Sequence, residues 1–207
     1  MVLIYEDQLA ANVDTAFREG SMHFEEQSAV HRTLRKICAD LSRHGIPHCV
    51  VGGMALFFHG YRRFTEDVDL LVTPHGLKQL HEELDGRGYL PPFEGSINLR
   101  DTETGVRIEF LTSGGFPGDG KPKSVVFPDP SEASMEVDGL RFLTLERLIE
   151  LKLASGLSNP RRARDLADVQ ELIAVLGLSA DVARRLNDSV QAKYQELWQI
   201  VQDFPGQ

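Results

Sequence analysis

Residues 49–72 constrain this chain more than any other stretch. The apolar run Cys49-Val50-Val51 ends in Gly52-Gly53, Met54 and Ala55 follow, and the segment closes on Thr65-Glu66-Asp67-Val68-Asp69-Leu70-Leu71-Val72. This pattern predicts a strand, a glycine turn, a short apolar helix and a second strand. A strand repeats every two residues, so Asp67 and Asp69 project from one face. Adjacent carboxylates repel and are costly on a sheet face unless a cation sits between them. Hard oxygen donors suit Mg²⁺, which takes one or two carboxylates and fills its other positions with water and substrate phosphates. The glycines let backbone approach a ligand closely, and the N–H groups at a helix start favour an anion. Phosphate and magnesium are thus expected at one place. The competing reading, a solvated acidic turn, fits poorly with the apolar strand 68–72 in which the pair is embedded.

The 207 residues are enough for one domain with a sizeable core, or one domain with a helical appendage. A composition of 42% hydrophobic and 26% charged residues is that of a folded soluble protein and excludes a disordered chain. No apolar run approaches the roughly 20 residues a bilayer span requires. Glu6 and Asp7 stand where a signal peptide would carry basic residues, so none is expected, and the cytoplasm is the expected compartment. Cys38 and Cys49, the only cysteines, read as reduced core thiols. A net charge of −9 argues against broad electrostatic binding to nucleic acid but leaves room for a locally basic site.

In chain order, residues 1–27 carry weak helical periodicity (Leu9, Val13, Phe17) broken at Gly20, and read as a peripheral helix or arm. Residues 28–44 form a better amphipathic helix through Val30, Leu34, Ile37, Cys38 and Leu41, with Ser28 as cap and Gly45 as stop. Strand 46–51, helix 54–61, the carboxylate strand and helix 74–86 follow. Arg62 and Arg63 either contact phosphates or balance Glu66 and Asp67. His75 and His81 lack a matching Cys/His set and read as helix-face residues. Strands are expected at 89–90, 97–100 and 106–111, the last two joined by a hairpin turn at 102–105. In the final strand Val106, Ile108 and Phe110 face one way, and Arg107, Glu109 and Leu111 the other. Residues 115–121 have P-loop spacing, but Pro122 replaces the metal-binding hydroxyl and no helix follows, so the stretch reads as a long, partly basic loop. Edge strands are expected at 125–127 and 139–142. From Thr144 onward the chain reads as helical: a first helix capped by Thr144, a second opened by Asn159-Pro160 and striped by Leu166, Val169, Leu172, Ile173 and Leu176, and a third from Ser179 to about Phe204. The expected architecture is an α/β (α+β) mixed sheet with flanking helices, a core at 28–143 and a C-terminal helical segment at 144–207.

Gly52-Gly53, a short helix and Asp67-Val68-Asp69 resemble the signature of the DNA polymerase β-like nucleotidyltransferase superfamily. The run Arg63-Phe64-Thr65-Glu66-Asp67-Val68-Asp69-Leu70 is similar to a segment of small bacterial nucleotidyltransferase toxins of abortive-infection, type IV toxin–antitoxin systems. A third match lies downstream, where Lys152 is followed by Arg164-Asp165 and Asp168.

The resemblance implies Mg²⁺-dependent, or Mn²⁺-dependent, transfer of a nucleoside monophosphate from an NTP to an acceptor. It implies that Asp67 and Asp69 hold the metal and that a third carboxylate on a neighbouring strand completes the site and acts as general base. Glu109 is the candidate, although relatives more often carry Asp there; a Glu109 paired with Arg107 or solvated is the alternative. Gly52, Gly53, Arg63, Thr65, Lys152 and Asp165 are the implied nucleotide-binding residues. Lys152, flanked by Leu151 and Leu153, needs an anionic partner on physical grounds alone, and that partner is either a triphosphate or Asp165. The acceptor is an RNA end such as that of tRNA, a protein hydroxyl or a small molecule. A cognate antitoxin is a further implied partner, and no membrane is. A catalytically inactive nucleotide- or partner-binding module is the competing class, and a metal-dependent nuclease would lack a use for the Gly-Gly turn.

Overall fold

A computed structural model describes residues 4–204. Seven strands form one mixed sheet in the order β3-β4-β5-β2-β1-β7-β6. They are β1 (His48–Val50), β2 (Asp67–Val72), β3 (Tyr89–Leu90), β4 (Leu99–Asp101), β5 (Arg107–Thr112), β6 (Ser134–Val137) and β7 (Leu140–Leu143). Strand β2 runs antiparallel to β1 and parallel to β5, in a register that sets Asp67 opposite Arg107 and Asp69 opposite Glu109. Eight helices flank the sheet: α1 (Tyr5–Ala11), α2 (Val13–Phe24), α3 (Ala29–Arg43), α4 (Gly52–Phe58), α5 (Pro74–Leu84), α6 (Leu145–Ser158), α7 (Ala163–Leu176) and α8 (Asp188–Asp203).

The period of two sorts β2 into two faces. Val68, Leu70 and Val72 join Val50, Ile108 and Phe110 in a core covered by α3 and α5. Leu71 joins Cys49, Val51 and Leu143 in a second core covered by α6, α7 and α8. Asp67 and Asp69 share the face of Leu71. They therefore open toward the C-terminal helices, in the cleft where sheet and helices part.

Several boundaries differ from the sequence expectation. Helix α4 begins at the glycines themselves. Gly20 does not break α2, which runs through it to Phe24. Residues 125–127 form no strand, although Phe127 exchanges two backbone hydrogen bonds with Gly114 and Gly115. The last helix is split: a 3-10 turn at Ala180–Arg185 precedes α8, whose N-cap Asn187 donates its backbone N–H to the buried Glu150 carboxylate. Leu176 is exposed, and buried Asp165 and Asp168 take places on the inner face of α7.

The N-terminal helices reach the site from behind. His23, buried at the end of α2, donates from Nε2 to the carbonyl oxygen of Arg63, which ties down the loop leading into β2. His31 packs beside it, with ring centroids 4.9 Å apart. Burial first, then the neighbouring His23, Arg35 and Arg62, lower the His31 pKa from 6.5 to about 4. A base whose folded pKa is depressed stabilises the fold above its unfolded value. That contribution is fully present above pH 6.5 and is lost as pH falls through about 4. The expected loss is on the order of 3 kcal/mol. Urea unfolding at pH 7.5 and pH 4, for wild type and His31→Gln, checks it: the substitution should flatten the pH slope.

Candidate active site

The three carboxylates lie on the exposed ends of β2 and β5. One oxygen from each of Asp67, Asp69 and Glu109 falls within 4.8 Å of the others. All three are partly exposed at the floor of a cleft of about 910 Å³. Burial, then the charges of Asp67 and Glu109, push the Asp69 carboxyl up from 3.8 to about 7, while Lys152 and the Gly53 N–H pull it down. Three hard oxygen donors converging at one point of a solvent-reached cleft are the donor set Mg²⁺ takes, with positions left for water and phosphate. The residues present therefore fit a divalent cation. Glu109 reaches the cluster because β5 pairs directly with β2, in a register that sets Glu109 opposite Asp69.

The glycine turn stands over this cluster. Gly52 has φ +60°, and a Cβ built there would meet Asp69 Oδ2 at 1.8 Å. A Cβ on Gly53 would meet Thr65 Oγ1 at 2.8 Å. The close approach, more than the dipole of a seven-residue helix, is the reason for glycine here. Gly52→Ala is expected to displace Asp69 and lower metal affinity at least about tenfold, on top of the roughly 1 kcal/mol that a left-handed conformation costs any side chain. Gly45 also has positive φ but nothing within 4 Å, so Gly45→Ala supplies the backbone cost alone. Urea unfolding and Mn²⁺ titration of the two variants separate the terms.

Thr65 is buried and donates from Oγ1 to Asp67 Oδ1 at 2.7 Å, so it orients a carboxylate. Arg107 donates to the other oxygen, Oδ2, at 3.1 Å. Its Nε also lies 3.1 Å from Glu109 Oε1 without finding an aligned acceptor, so that contact is a charge contact and not a directed hydrogen bond.

The remaining candidates form one ion network along α6 and α7. Lys152 Nζ donates to Asp165 Oδ1 at 3.0 Å and Asp168 Oδ2 at 2.7 Å, all three residues being buried. Ser155 and Arg162 also donate to Asp165. These partners hold its carboxyl below the usual range although burial opposes them. Arg63 grips Asp168 through Nε at 3.0 Å and Nη2 at 3.2 Å. Of the two readings of Arg62 and Arg63, the one in which they balance Glu66 and Asp67 does not hold: Arg62 pairs with Glu26 and lies over the Phe57 ring, and Arg63 turns to α7. Lys152, Arg63 and Asp165 line the cleft with their charges already matched. Among the described residues, Arg161 and Arg164 line it with no ion-pair partner.

Sequence reasoning did not anticipate Arg107 as the partner of Asp67. The signal was available in the strand parity that puts Arg107 on the face of Glu109. The apolar wall of Leu111, Phe116, Phe127, Leu148 and Leu151 was also missed, because Phe116 and Phe127 come from the long loop after β5. That loop packs against α6, where Ser158 Oγ donates to the Pro117 carbonyl at 3.4 Å.

No family model matches this chain, and no curated protein does. Its fold is that of solved nucleotidyltransferases. The crystal structure of ANT(2")-Ia in complex with adenylyl-2"-tobramycin aligns with a TM-score of 0.51 at 13% identity, over 80% of this chain and 96% of that one. The solution structure of the antibiotic-resistance factor ANT(2'')-Ia aligns with a TM-score of 0.53 at 15% identity, over 82% and 95%. An antigenic nucleotidyltransferase-like protein from Paracoccidioides brasiliensis aligns with a TM-score of 0.50 at 14% identity, over 84% and 88%. The chain thus shares the fold of these solved nucleotidyltransferases, a mixed sheet flanked by helices. No helix among the described residues is long and apolar enough to cross a membrane.

Proposed function

We propose that this protein is a divalent-metal-dependent nucleotidyltransferase that moves a nucleoside monophosphate from an NTP to an acceptor. The observation that carries the reading is the carboxylate cluster Asp67, Asp69 and Glu109 directly beneath the Gly52-Gly53 turn. Three carboxylates with oxygens within 4.8 Å of one another repel, and a divalent cation relieves that repulsion. Asp67, Asp69 and Glu109 would hold Mg²⁺, or Mn²⁺, which would supply neutralising charge to the phosphates. The acceptor oxygen or nitrogen attacks the α-phosphorus, pyrophosphate departs on the opposite side, and Glu109 takes the acceptor proton. Thr65 fixes the rotamer of Asp67. The Gly52-Gly53 turn lies against the phosphates, with the Gly53 N–H given to Asp69. Arg161 and Arg164, with no carboxylate partners, meet the triphosphate charge at the cleft mouth, and the paired Lys152 and Arg63 stiffen the wall behind them. The apolar wall of Phe116, Phe127 and Leu151 receives the base.

The acceptor is an RNA end such as that of tRNA, a protein hydroxyl or a small hydroxylated or amino compound. The motif resemblance to type IV toxins favours RNA, with a cognate antitoxin as partner and the cytoplasm as compartment. The adenylyl-2"-tobramycin bound by ANT(2")-Ia, which shares the fold, favours a small molecule. Incubation with each α-labelled NTP, Mg²⁺, total RNA, cell protein and a pool of small hydroxylated and amino compounds separates these classes. Label is expected in one class with one preferred NTP. Label in none of them, across all four NTPs, would overturn the reading.

A further inference from the structure

Each oxygen of Asp67 already accepts one hydrogen bond and keeps a further lone pair for a metal ion. Thr65 occupies Oδ1 at 2.7 Å and Arg107 occupies Oδ2 at 3.1 Å. Thr65 is a neutral hydroxyl that can rotate away. Arg107 is a cation, in direct competition with any cation that approaches Asp67 and Glu109.

Two features make Arg107 more than an ordinary strand arginine. First, among the described residues Arg107 is the cation in contact with Asp67 and Glu109: Lys152 is already shared between Asp165 and Asp168, and Arg161 and Arg164 line the cleft without pairing to the cluster. Second, a fixed anion stands behind Arg107. Glu6 on α1 places Oε1 3.9 Å from Arg107 Nε, and Arg100 donates to Glu6 Oε2 at 2.8 Å. Helix α1 is anchored there: Tyr5 is buried, its hydroxyl donates to Glu19, and its N–H donates to the Gly105 carbonyl in the turn before β5. Arg107 therefore lies between two acidic poles, with an Nε proton that neither pole fully satisfies. A side chain 40% exposed and so placed is within reach of both poles.

We propose that Arg107 is a resident counter-cation of the carboxylate cluster, transferred from Asp67 to Glu6 when a divalent ion binds, so that Glu6 on the N-terminal helix sets the metal affinity of the site. The inference rests on the metal reading given above. Without metal, Arg107 suppresses the mutual repulsion of Asp67 and Glu109. With metal, the incoming charge takes over that task and expels the guanidinium, and Glu6 receives it.

The test is Mn²⁺ binding to the full chain, by calorimetry and by the loss of the free-ion electron paramagnetic resonance signal, for wild type, Arg107→Gln, Glu6→Gln and Asp69→Asn. Arg107→Gln should bind Mn²⁺ about tenfold more tightly, the scale of one charge contact at a partly exposed position. Its metal-free form should melt lower than wild type and gain more on adding Mn²⁺. Glu6→Gln, which leaves Arg107 only the cluster, should bind Mn²⁺ several-fold more weakly. Equal or weaker binding by Arg107→Gln, together with unchanged binding by Glu6→Gln, would overturn the proposal. If Asp69→Asn still abolished binding in that case, the metal site and the proposed function would stand and the competition alone would fall. Absence of Mn²⁺ binding in wild type would overturn both.

Discussion

Asp69→Asn is expected to remove divalent-metal binding and to lower nucleotidyl transfer by roughly a thousandfold, while leaving the protein at least as stable as wild type. Asp69 lies between the two other carboxylates, opposite Glu109 in the sheet register and directly under Gly52. An amide of the same shape keeps the packing but removes the charge. The stability arm has a definite sign. The Asp69 carboxyl is raised from 3.8 to about 7 by burial and by Asp67 and Glu109. An acid raised in the folded state stabilises most at low pH, and that contribution fades as pH climbs from about 4 through 7. At pH 8, without metal, ionised Asp69 is a burden that asparagine lifts. A thermal melt at pH 8 should show no loss, a Mn²⁺ titration should be flat, and transfer should be lost. A large fall in melting temperature would instead mark Asp69 as a structural residue.

The largest stability effect is expected at Lys152. Its ammonium is the shared partner of two buried carboxylates on α7. Lys152→Ala leaves Asp165 with Arg162 and Ser155, and Asp168 with Arg63, but strips both of their closest buried cation. Breaking one side of a buried pair costs about 3–5 kcal/mol, because the remaining charge keeps its desolvation penalty. Urea unfolding should show a loss in that range, and Lys152→Met combined with Asp165→Asn should recover part of it. The compensated variant also addresses the nucleotide. A stable double variant whose KM for NTP rises would mean that Lys152 reaches phosphate as well as Asp165. A normal KM would leave Lys152 as a strut.

The carboxylate strand was readable because parity is a local property: alternation alone puts Asp67 and Asp69 on one face and Val68 and Leu70 on the other. Helix α3 was readable from its spacing and its Ser28 cap, which accepts from the His31 N–H. Glu109 was reached through strand parity joined to a family pattern, and the structure brings it to the cluster through the β2–β5 register. What was hidden depends on contacts between distant segments. Nothing in the local pattern around Arg63 says that it will cross to Asp168, or that Glu6 will approach Arg107. Strand β6 was missed because its burial is shallow and its sequence lacks clean alternation. The split before α8 was missed although Asn187 is a local cap whose side chain accepts from the Ser189 N–H; its tie to the Glu150 carboxylate, 37 residues upstream, was hidden.

The central claim is nucleotidyl transfer at the carboxylate cluster, and the most direct measurement compares α-labelled with γ-labelled NTP, in Mg²⁺, for wild type and Asp69→Asn. The account predicts that α-label moves to the acceptor while γ-label leaves as pyrophosphate, and that both events vanish in Asp69→Asn. Transfer of γ-label to the acceptor, or α-label transfer that survives in Asp69→Asn, would contradict it.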